Sequence, residues 1–119
     1  MSDRIIVALA QVDLVVGDVA GNTEKILDYC ARAHDEMAAD LFVFPELSIS
    51  GYPPEDLLFH SGLRKRVDEA LGIIRSQVRD IWVLLGYPEY HDGEIYNAAV
   101  VFKDGIPLAQ YRKQLLPNY

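Results

Sequence analysis

The sequence predicts an α/β fold in which short buried strands alternate with two amphipathic helices. Short apolar runs at residues 5–10, 41–44 and 81–86 have the length of strands, and longer segments with helical periodicity separate them. Two Asp-Gly dipeptides, at residues 92–93 and 104–105, flank a further apolar run and indicate tight turns. The chain has 119 residues, of which 50% are hydrophobic, and this is enough to build the core of one domain.

The first strand and the first helix begin a βαβ unit. Residues 5–10 are uniformly apolar, a pattern typical of a strand that is covered on both faces. Asn22 is the expected helix N-cap, and apolar side chains then recur at helical spacing until the helix ends near Ala39. These side chains are Ile26, Cys30, Ala33 and Met37. Residues 41–44 form the second strand, which ends at Pro45 and pairs in parallel with the first strand.

The rest of the chain predicts a second long helix and a three-stranded meander. A short helix is expected at residues 55–59, and a longer one begins near Ser61 with its apolar residues along one side. Residues 81–86 form a third buried strand. Residues 95–102 and 106–112 are the last two strands, so the predicted order is β, α, β, α and then three strands.

Composition and charge exclude several classes of partner. The net charge of −7, from 18 acidic and 11 basic residues, argues against nucleic acid and against an anionic membrane surface. The apolar run near the N-terminus is too short for a signal peptide or a membrane span, so we expect a cytoplasmic protein with no membrane partner. The three histidines are scattered without ligand spacing, and no metal site is expected.

Two residues that could perform acid–base chemistry follow apolar runs. Glu46 comes directly after the second strand, and Lys113 comes after the last one. Because a rigid scaffold often presents reactive groups where strands end, a carboxylate and a cation from distant positions could converge there. An apolar setting would raise the pKa of Glu46 toward the value of a general base, and a nearby lysine would lower it again. The spacing alone also fits two solvated charges at strand ends.

No residue of the chain is an evident nucleophile to accompany this pair. The one cysteine, Cys30, precedes Glu46 and lies on the apolar side of the first helix, which is typical of a core residue. Ser48 and Ser50 lack the Gly-x-Ser-x-Gly context of a serine hydrolase. Asn97 is expected to satisfy neighbouring backbone groups from within its strand.

Several short blocks carry a family resemblance. They are residues 45–47 (PEL), 51–58 (GYPPEDLL) and 111–119 (YRKQLLPNY). Together they resemble the nitrilase or carbon-nitrogen hydrolase superfamily, and the two longer blocks are most similar to the glutaminase domain of glutamine-dependent NAD synthetases. The resemblance runs over residues 5–119. It implies a nitrilase-like αββα sandwich, of which residues 1–119 would be the N-terminal portion.

The resemblance also implies a reaction and roles for individual residues. A Glu-Lys-Cys triad would hydrolyse the amide of L-glutamine, with Glu46 accepting the thiol proton and Lys113 stabilising the oxyanion. Tyr119 would contact the glutamine substrate. The cysteine of this family lies beyond the lysine-containing strand, so the present chain would lack its nucleophile and be inactive alone. It would hold no cofactor, because ATP, Mg²⁺ and deamido-NAD would bind to a synthetase domain that is absent from it.

Two other functions remain open at this point. The first is a stand-alone carbon-nitrogen hydrolase that acts on another small amide, although the two longer blocks favour the synthetase. The second is a non-catalytic fragment, since residues 116–119 stop in mid-loop without a terminal cap and half a sandwich would leave an apolar sheet face open. Such a face and unpaired strand edges favour self-association, and we expect a homo-oligomer.

Overall fold

A computed structural model describes residues 4–51 and 61–116, in which two helices cover one face of a five-stranded sheet. The elements in chain order are β1 (Val7–Leu9), α1 (Val19–Met37), β2 (Leu41–Val43), α2 (Ser61–Gln77), β3 (Trp82–His91), β4 (Glu94–Lys103) and β5 (Ile106–Leu115). The predicted α/β class and the predicted order of elements are confirmed. The expected short helix at residues 55–59 lies outside the described residues.

The strands lie in the sheet in the order in which they occur in the chain. β1, β2 and β3 are parallel, with Val7 beside Leu41 and Leu41 beside Trp82, whereas β3, β4 and β5 form an antiparallel meander. Because right-handed crossovers that advance in one direction place their helices on one face, α1 and α2 pack side by side on the same side of the sheet. Neither helix in the described ranges has the length and apolarity needed to cross a membrane.

Helix α1 begins four residues earlier than the sequence predicts. Asp18, and not Asn22, is the N-cap, and its side chain accepts a hydrogen bond from the Gly21 amide at 3.0 Å. Both residue types cap helices well, and Gly21 disfavours a helix that includes it, so the sequence favoured the later start. The helix ends at Met37, and Ala38 adopts a left-handed conformation with φ 51° as the C-cap.

Asn22 instead ties the helix to two loops. Its side chain is fully buried, donates to the carbonyls of Val15 at 2.8 Å and Ile49 at 3.0 Å, and accepts from the Val15 amide at 2.9 Å. The loop before α1 and the loop after β2 therefore approach each other closely. Gly51 lies at this junction with φ 79°, where an added Cβ would lie 2.8 Å from the Val16 backbone.

The meander is longer than predicted, although its turns are where the sequence places them. Asp92 and Asp104 have φ 50° and 52° and are each followed by a glycine with positive φ, as tight hairpin turns require. The sequence predicted a third strand at residues 81–86, but β3 continues through Pro88 to His91. Pairing of β3 with β2 ends at Leu84, so Pro88 occupies a part of β3 that is paired on one side only, where a missing N–H is tolerated.

One face of the sheet is covered and the other is open among the described residues. The core between the sheet and the helices contains Phe42, Val83, Leu85, Val100 and Phe102, along with the helix side chains Ile26, Cys30, Leu63, Val67 and Ile74. Leu9 is 73% exposed and Val7 is 47% exposed, so the expectation that β1 is covered on both faces is wrong for the described residues. The uniform apolar run did not distinguish a strand buried by helices from one that offers its second face to another layer.

Candidate active site

The loop after β2 presents Glu46 at the carboxyl end of a parallel strand. The Phe44 amide donates to the Leu84 carbonyl at 2.9 Å, and the chain then turns away from the strand direction. Leu47, directly after Glu46, is fully buried and has φ 50°, an uncommon conformation for a residue with a branched side chain. In α/β sheets, ligands usually bind at the carboxyl ends of the parallel strands, and Glu46 lies at such an end.

Two buried serines hold this loop in its conformation. The Ser48 hydroxyl donates to the Pro45 carbonyl at 2.5 Å, and the Ser50 hydroxyl donates to the Leu47 carbonyl at 3.3 Å. Both side chains are fully buried and are engaged within their own turn. They therefore stabilise the position of Glu46, which agrees with the sequence argument against a serine hydrolase.

Gly86 on β3 allows the loop to lie directly on the sheet. A Cβ at this position would be 2.8 Å from both the Pro45 carbonyl oxygen and the Leu47 amide nitrogen, and 3.0 Å from the Cα of Glu46. These are backbone atoms, so a larger residue could be accommodated only if the loop moved. Strand alternation places Gly86 on the same face as Leu84, and Glu46 therefore lies over one end of the open face.

A β-bulge in β5 presents Lys113. Asn97 of β4 pairs with Gln114, and the next residue, Ala98, pairs with Arg112, so Lys113 is the extra residue between them. The sequence placed Lys113 after the last strand, but β5 extends to Leu115 and Lys113 lies within it. A bulge redirects the extra side chain relative to the regular alternation, and bulges of this kind are frequent beside active sites.

The two predicted residues meet at one point above the sheet. The Lys113 ammonium contacts Oε1 of Glu46, and the Asn97 amide donates to Oε2 of the same carboxylate at 3.1 Å. The contact joins positions 67 residues apart in the chain. Glu46 and Lys113 retain 45% and 52% exposure, so the carboxylate is only partly shielded from solvent by the described residues. The geometry provides a carboxylate with a cation beside it, open toward the solvent on the remaining side.

Cys30 lies away from this cluster of described residues. Cys30 is 2% exposed in the core beneath α1, and burial raises the pKa of its thiol to about 12. A thiol of this kind remains protonated and inert at neutral pH, in agreement with the interpretation of Cys30 as a core residue. Tyr119, the predicted contact for glutamine, lies outside the described residues.

A second carboxylate network occupies the opposite face of the meander. Glu89 accepts from Arg112 and, at 2.5 Å, from the Gln110 side-chain amide, which also donates to the Tyr87 hydroxyl. The hydrogen bond to Glu89 raises the pKa of Arg112, and burial raises the pKa of Tyr87. Strand alternation turns these side chains away from Glu46. The Glu89 network therefore resembles the Glu46 cluster in chemistry but lies outside the candidate site.

Comparison with known protein families matches residues 6–118 to the carbon-nitrogen hydrolase family. The chain belongs to this family. It is 47% identical over 113 residues to the glutamine-dependent NAD(+) synthetase of Xanthomonas campestris pv. campestris (strain 8004), which covers 95% of this chain and 20% of that protein. This carbon-nitrogen hydrolase chain thus spans about a fifth of the length of the curated synthetases that it matches.

Solved structures of two kinds share the fold of this carbon-nitrogen hydrolase chain. One is the glutamine-dependent NAD+ synthetase of Acinetobacter baumannii in complex with ADP, with a TM-score of 0.85 and 42% identity over 95% of this chain and 21% of that one. Another is a double mutant of the amidase from Nesterenkonia sp. AN1 in complex with acrylamide, with a TM-score of 0.82 and 29% identity over 96% of this chain and 45% of that one. The expected nitrilase-like relationship is confirmed.

Two features of the candidate site were not predicted from the sequence. Asn97 was expected to bind backbone groups, but its side chain contacts Glu46 from a position that is 2% exposed. A single amide within the apolar run of β4 was a signal that a distant partner exists, because a buried polar group is costly without one. The bulge at Lys113 left no such signal, since it depends on the register between β4 and β5.

Proposed function

We propose that this chain is the N-terminal part of a glutaminase domain, which hydrolyses the amide of L-glutamine in a glutamine-dependent NAD synthetase. The observation that carries the proposal is the contact of Lys113 and Asn97 with the two oxygens of Glu46. The proposal is supported by 47% identity to a protein named as such a synthetase and by the fold shared with another. Residues 1–119 would form the first part of the glutaminase domain.

In the proposed reaction a cysteine supplied by sequence outside these residues attacks the carboxamide carbon of glutamine. Glu46 accepts the thiol proton and passes it to the departing ammonia, and it then activates the water that hydrolyses the thioester to glutamate. Lys113 stabilises the negative charge that develops on the substrate oxygen in both tetrahedral states. An exposed carboxylate beside a cation suits these roles, because proton exchange needs an accessible oxygen and the oxyanion needs a nearby positive charge.

Further components of the proposal belong to the longer protein. Ammonia released at this site would be consumed by a synthetase domain that uses ATP and Mg²⁺ to amidate deamido-NAD. Tyr119 would contact the glutamine substrate. The double mutant of the Nesterenkonia amidase that matches this fold replaces one glutamate and one cysteine, which is consistent with a reaction that uses these two residue types.

Substitution of Lys113 tests the proposed function. In the longer protein, Lys113→Met should lower the rate of glutamine hydrolysis by about 100-fold to 1,000-fold, since one oxyanion-stabilising donor is lost. Lys103→Met is the matched control, because Lys103 lies on β4 over the Trp82 ring and away from Glu46, and its rate should stay within about threefold of the parent. Release of glutamate and ammonia measures both rates. Equal rates in the two variants would contradict the proposed role of Lys113.

An amidase that acts on another small amide is the second candidate. It is supported by the fold shared with the Nesterenkonia amidase, at a TM-score of 0.82 and 29% identity. The same assay separates the candidates when it is run with acrylamide and with glutamine. A glutaminase should prefer glutamine by a large factor, because a site that binds the charged amino-acid group discriminates against an amide that lacks it.

A further inference from the structure

Asn97 is the uncharged member of the cluster around Glu46. It lies on β4 opposite Pro88 and Gln114, next to the bulge that presents Lys113. Its side-chain nitrogen donates to Oε2 of Glu46 at 3.1 Å, and the side chain is 2% exposed. Glu46 itself is 45% exposed, so the buried and rigid partner of this pair is the amide and not the acid.

The two oxygens of Glu46 have different partners. Lys113 contacts Oε1 and Asn97 contacts Oε2, and each oxygen of a carboxylate has two acceptor positions. Two donors on separate oxygens fix both the position and the plane of the carboxylate, and one acceptor position on each oxygen remains for a proton. Lys113 reaches the site on a long flexible chain, whereas Asn97 has few rotamers and a regular strand beneath it.

From this geometry we infer that Asn97 is a positioning residue for the proposed reaction, in which it orients Glu46 and keeps its carboxylate ionised. The inference rests on the proposed function, because Glu46 has to act there as the base. Lys113 is the charged group that faces Glu46 among the described residues, and Gly86 and Asn97, from β3 and β4, are uncharged. An amide donor favours the charged carboxylate, whereas an acid at position 97 would disfavour it.

Two variants of Asn97 and one control test the inference in the longer protein. Asn97→Leu keeps the approximate volume and removes the donor, and Asn97→Asp keeps the shape but adds a carboxylate. The control is Gln110→Glu, which makes the same change from amide to acid beside a carboxylate, here Glu89, on the opposite face of the meander. The measurement is the pH profile of kcat/KM for glutamine hydrolysis, together with kcat, KM and the thermal midpoint of each variant.

If Asn97 positions Glu46, the variants should differ in kcat and in the pH profile. Asn97→Leu should lower kcat about tenfold with KM within about threefold, since a hydrogen bond to a charged group is lost. Its acid limb should move to higher pH by about half a unit to one unit, because Glu46 then holds its proton more tightly, and Asn97→Asp should move the limb further. Gln110→Glu should leave the acid limb where it is.

The alternative outcomes are distinguishable. An acid limb that stays in place in both Asn97 variants would overturn the inference, even if their thermal midpoints fell, because a purely structural role lowers stability without changing the titration of Glu46. If Asn97→Leu does not fold, the isosteric Asn97→Asp decides the question by the same readout. Full activity of a Glu46→Gln variant would overturn the proposed function itself, whatever the Asn97 variants do.

Discussion

At the scale of single residues, Cys30 and Glu46 show how burial separates a core residue from a reactive one. The thiol of Cys30 packs beneath α1 in the hydrophobic core, whereas the Glu46 carboxylate is half-exposed and paired with Lys113. A cysteine becomes a nucleophile when a cationic or polar setting stabilises its thiolate, and the core of this chain does the opposite. Cys30 is therefore not the cysteine of the proposed reaction.

Alkylation of Cys30 checks this interpretation. Burial raises the pKa of its thiol to about 12, so at pH 8 its thiolate fraction should be roughly a thousandfold or more below that of an exposed cysteine. Iodoacetamide should leave Cys30 unmodified in the native chain and label it within minutes in denaturant, as followed by mass spectrometry. Rapid labelling of the native chain with unchanged circular dichroism would contradict a buried thiol.

The raised pKa of the Cys30 thiol also makes the folding stability of the chain depend on pH. The folded state favours the neutral thiol, so the stability that its burial contributes is fully present below the pKa of an unfolded cysteine, about 8.5. It is lost progressively as the pH rises from there toward about 12, because the unfolded chain then ionises first.

At the scale of elements, the position of Glu46 depends on how the loop after β2 rests on β3. Gly86→Ala would place a Cβ 2.8 Å from backbone atoms of Pro45 and Leu47, and it should destabilise the chain by about 1–3 kcal/mol. Gly72→Ala is the control, because α2 has open space at that position and alanine favours helix over glycine by about 1 kcal/mol. Urea unfolding of both variants gives the two free energies. Equal stabilisation by both would show that the loop does not lie on Gly86.

The strands and helices were largely predictable from local sequence, and the exceptions have physical causes. The helix that begins at Ser61 and the two Asp-Gly turns depend on periodicity and turn chemistry, which are local. The start of α1 depended on a choice between two capping residues, Asp18 and Asn22, that only the loop contacts of Asn22 decide. The length of β3 depended on where its partner β2 ends, which is a property of the sheet.

The candidate site was predictable only in part, because some of its features are local in sequence and others depend on strand pairing. Glu46 and Lys113 were recognisable because each has an unusual sequence setting and because the surrounding blocks resemble a known family. The partner of Asn97 and the bulge at Lys113 arise from the register of β4 against β5, which no local pattern encodes. These two features therefore could not be predicted before the pairing of β4 with β5 was known.

At the scale of the whole molecule, the open face of the sheet is an apolar surface that no other layer covers among the described residues. It carries Leu9 and Tyr111, exposed by 73% and 66%, and a groove of about 390 Å³ beside Trp82 and Leu108. Apolar surfaces of this extent usually contact another protein layer. The face agrees with a sandwich in which a second sheet packs on the first, and it also keeps open the alternative of a self-associating fragment.

Charge on this face tests the self-association of the 119-residue chain. Leu9→Lys should shift the chain toward monomer in size-exclusion chromatography with light scattering, because packing of a second copy on this face would bury an unpaired ammonium group. Met37→Lys is the control, since Met37 is also exposed, by 55%, but lies on α1 away from the open face. A parent chain that is monomeric at all concentrations, or an equal effect of both variants, would contradict association through this face.

In the proposed amide hydrolysis Glu46 is the base. This role can be tested by the rate of glutamine hydrolysis by Glu46→Gln in the longer protein, with Glu89→Gln as the control, since Glu89 is also a carboxylate paired with a basic residue of β5. Glu46→Gln should lose about 100-fold to 10,000-fold in rate, and Glu89→Gln should stay within about threefold of the parent. Hydrolysis by Glu46→Gln at the parent rate would contradict a role of Glu46 as the base.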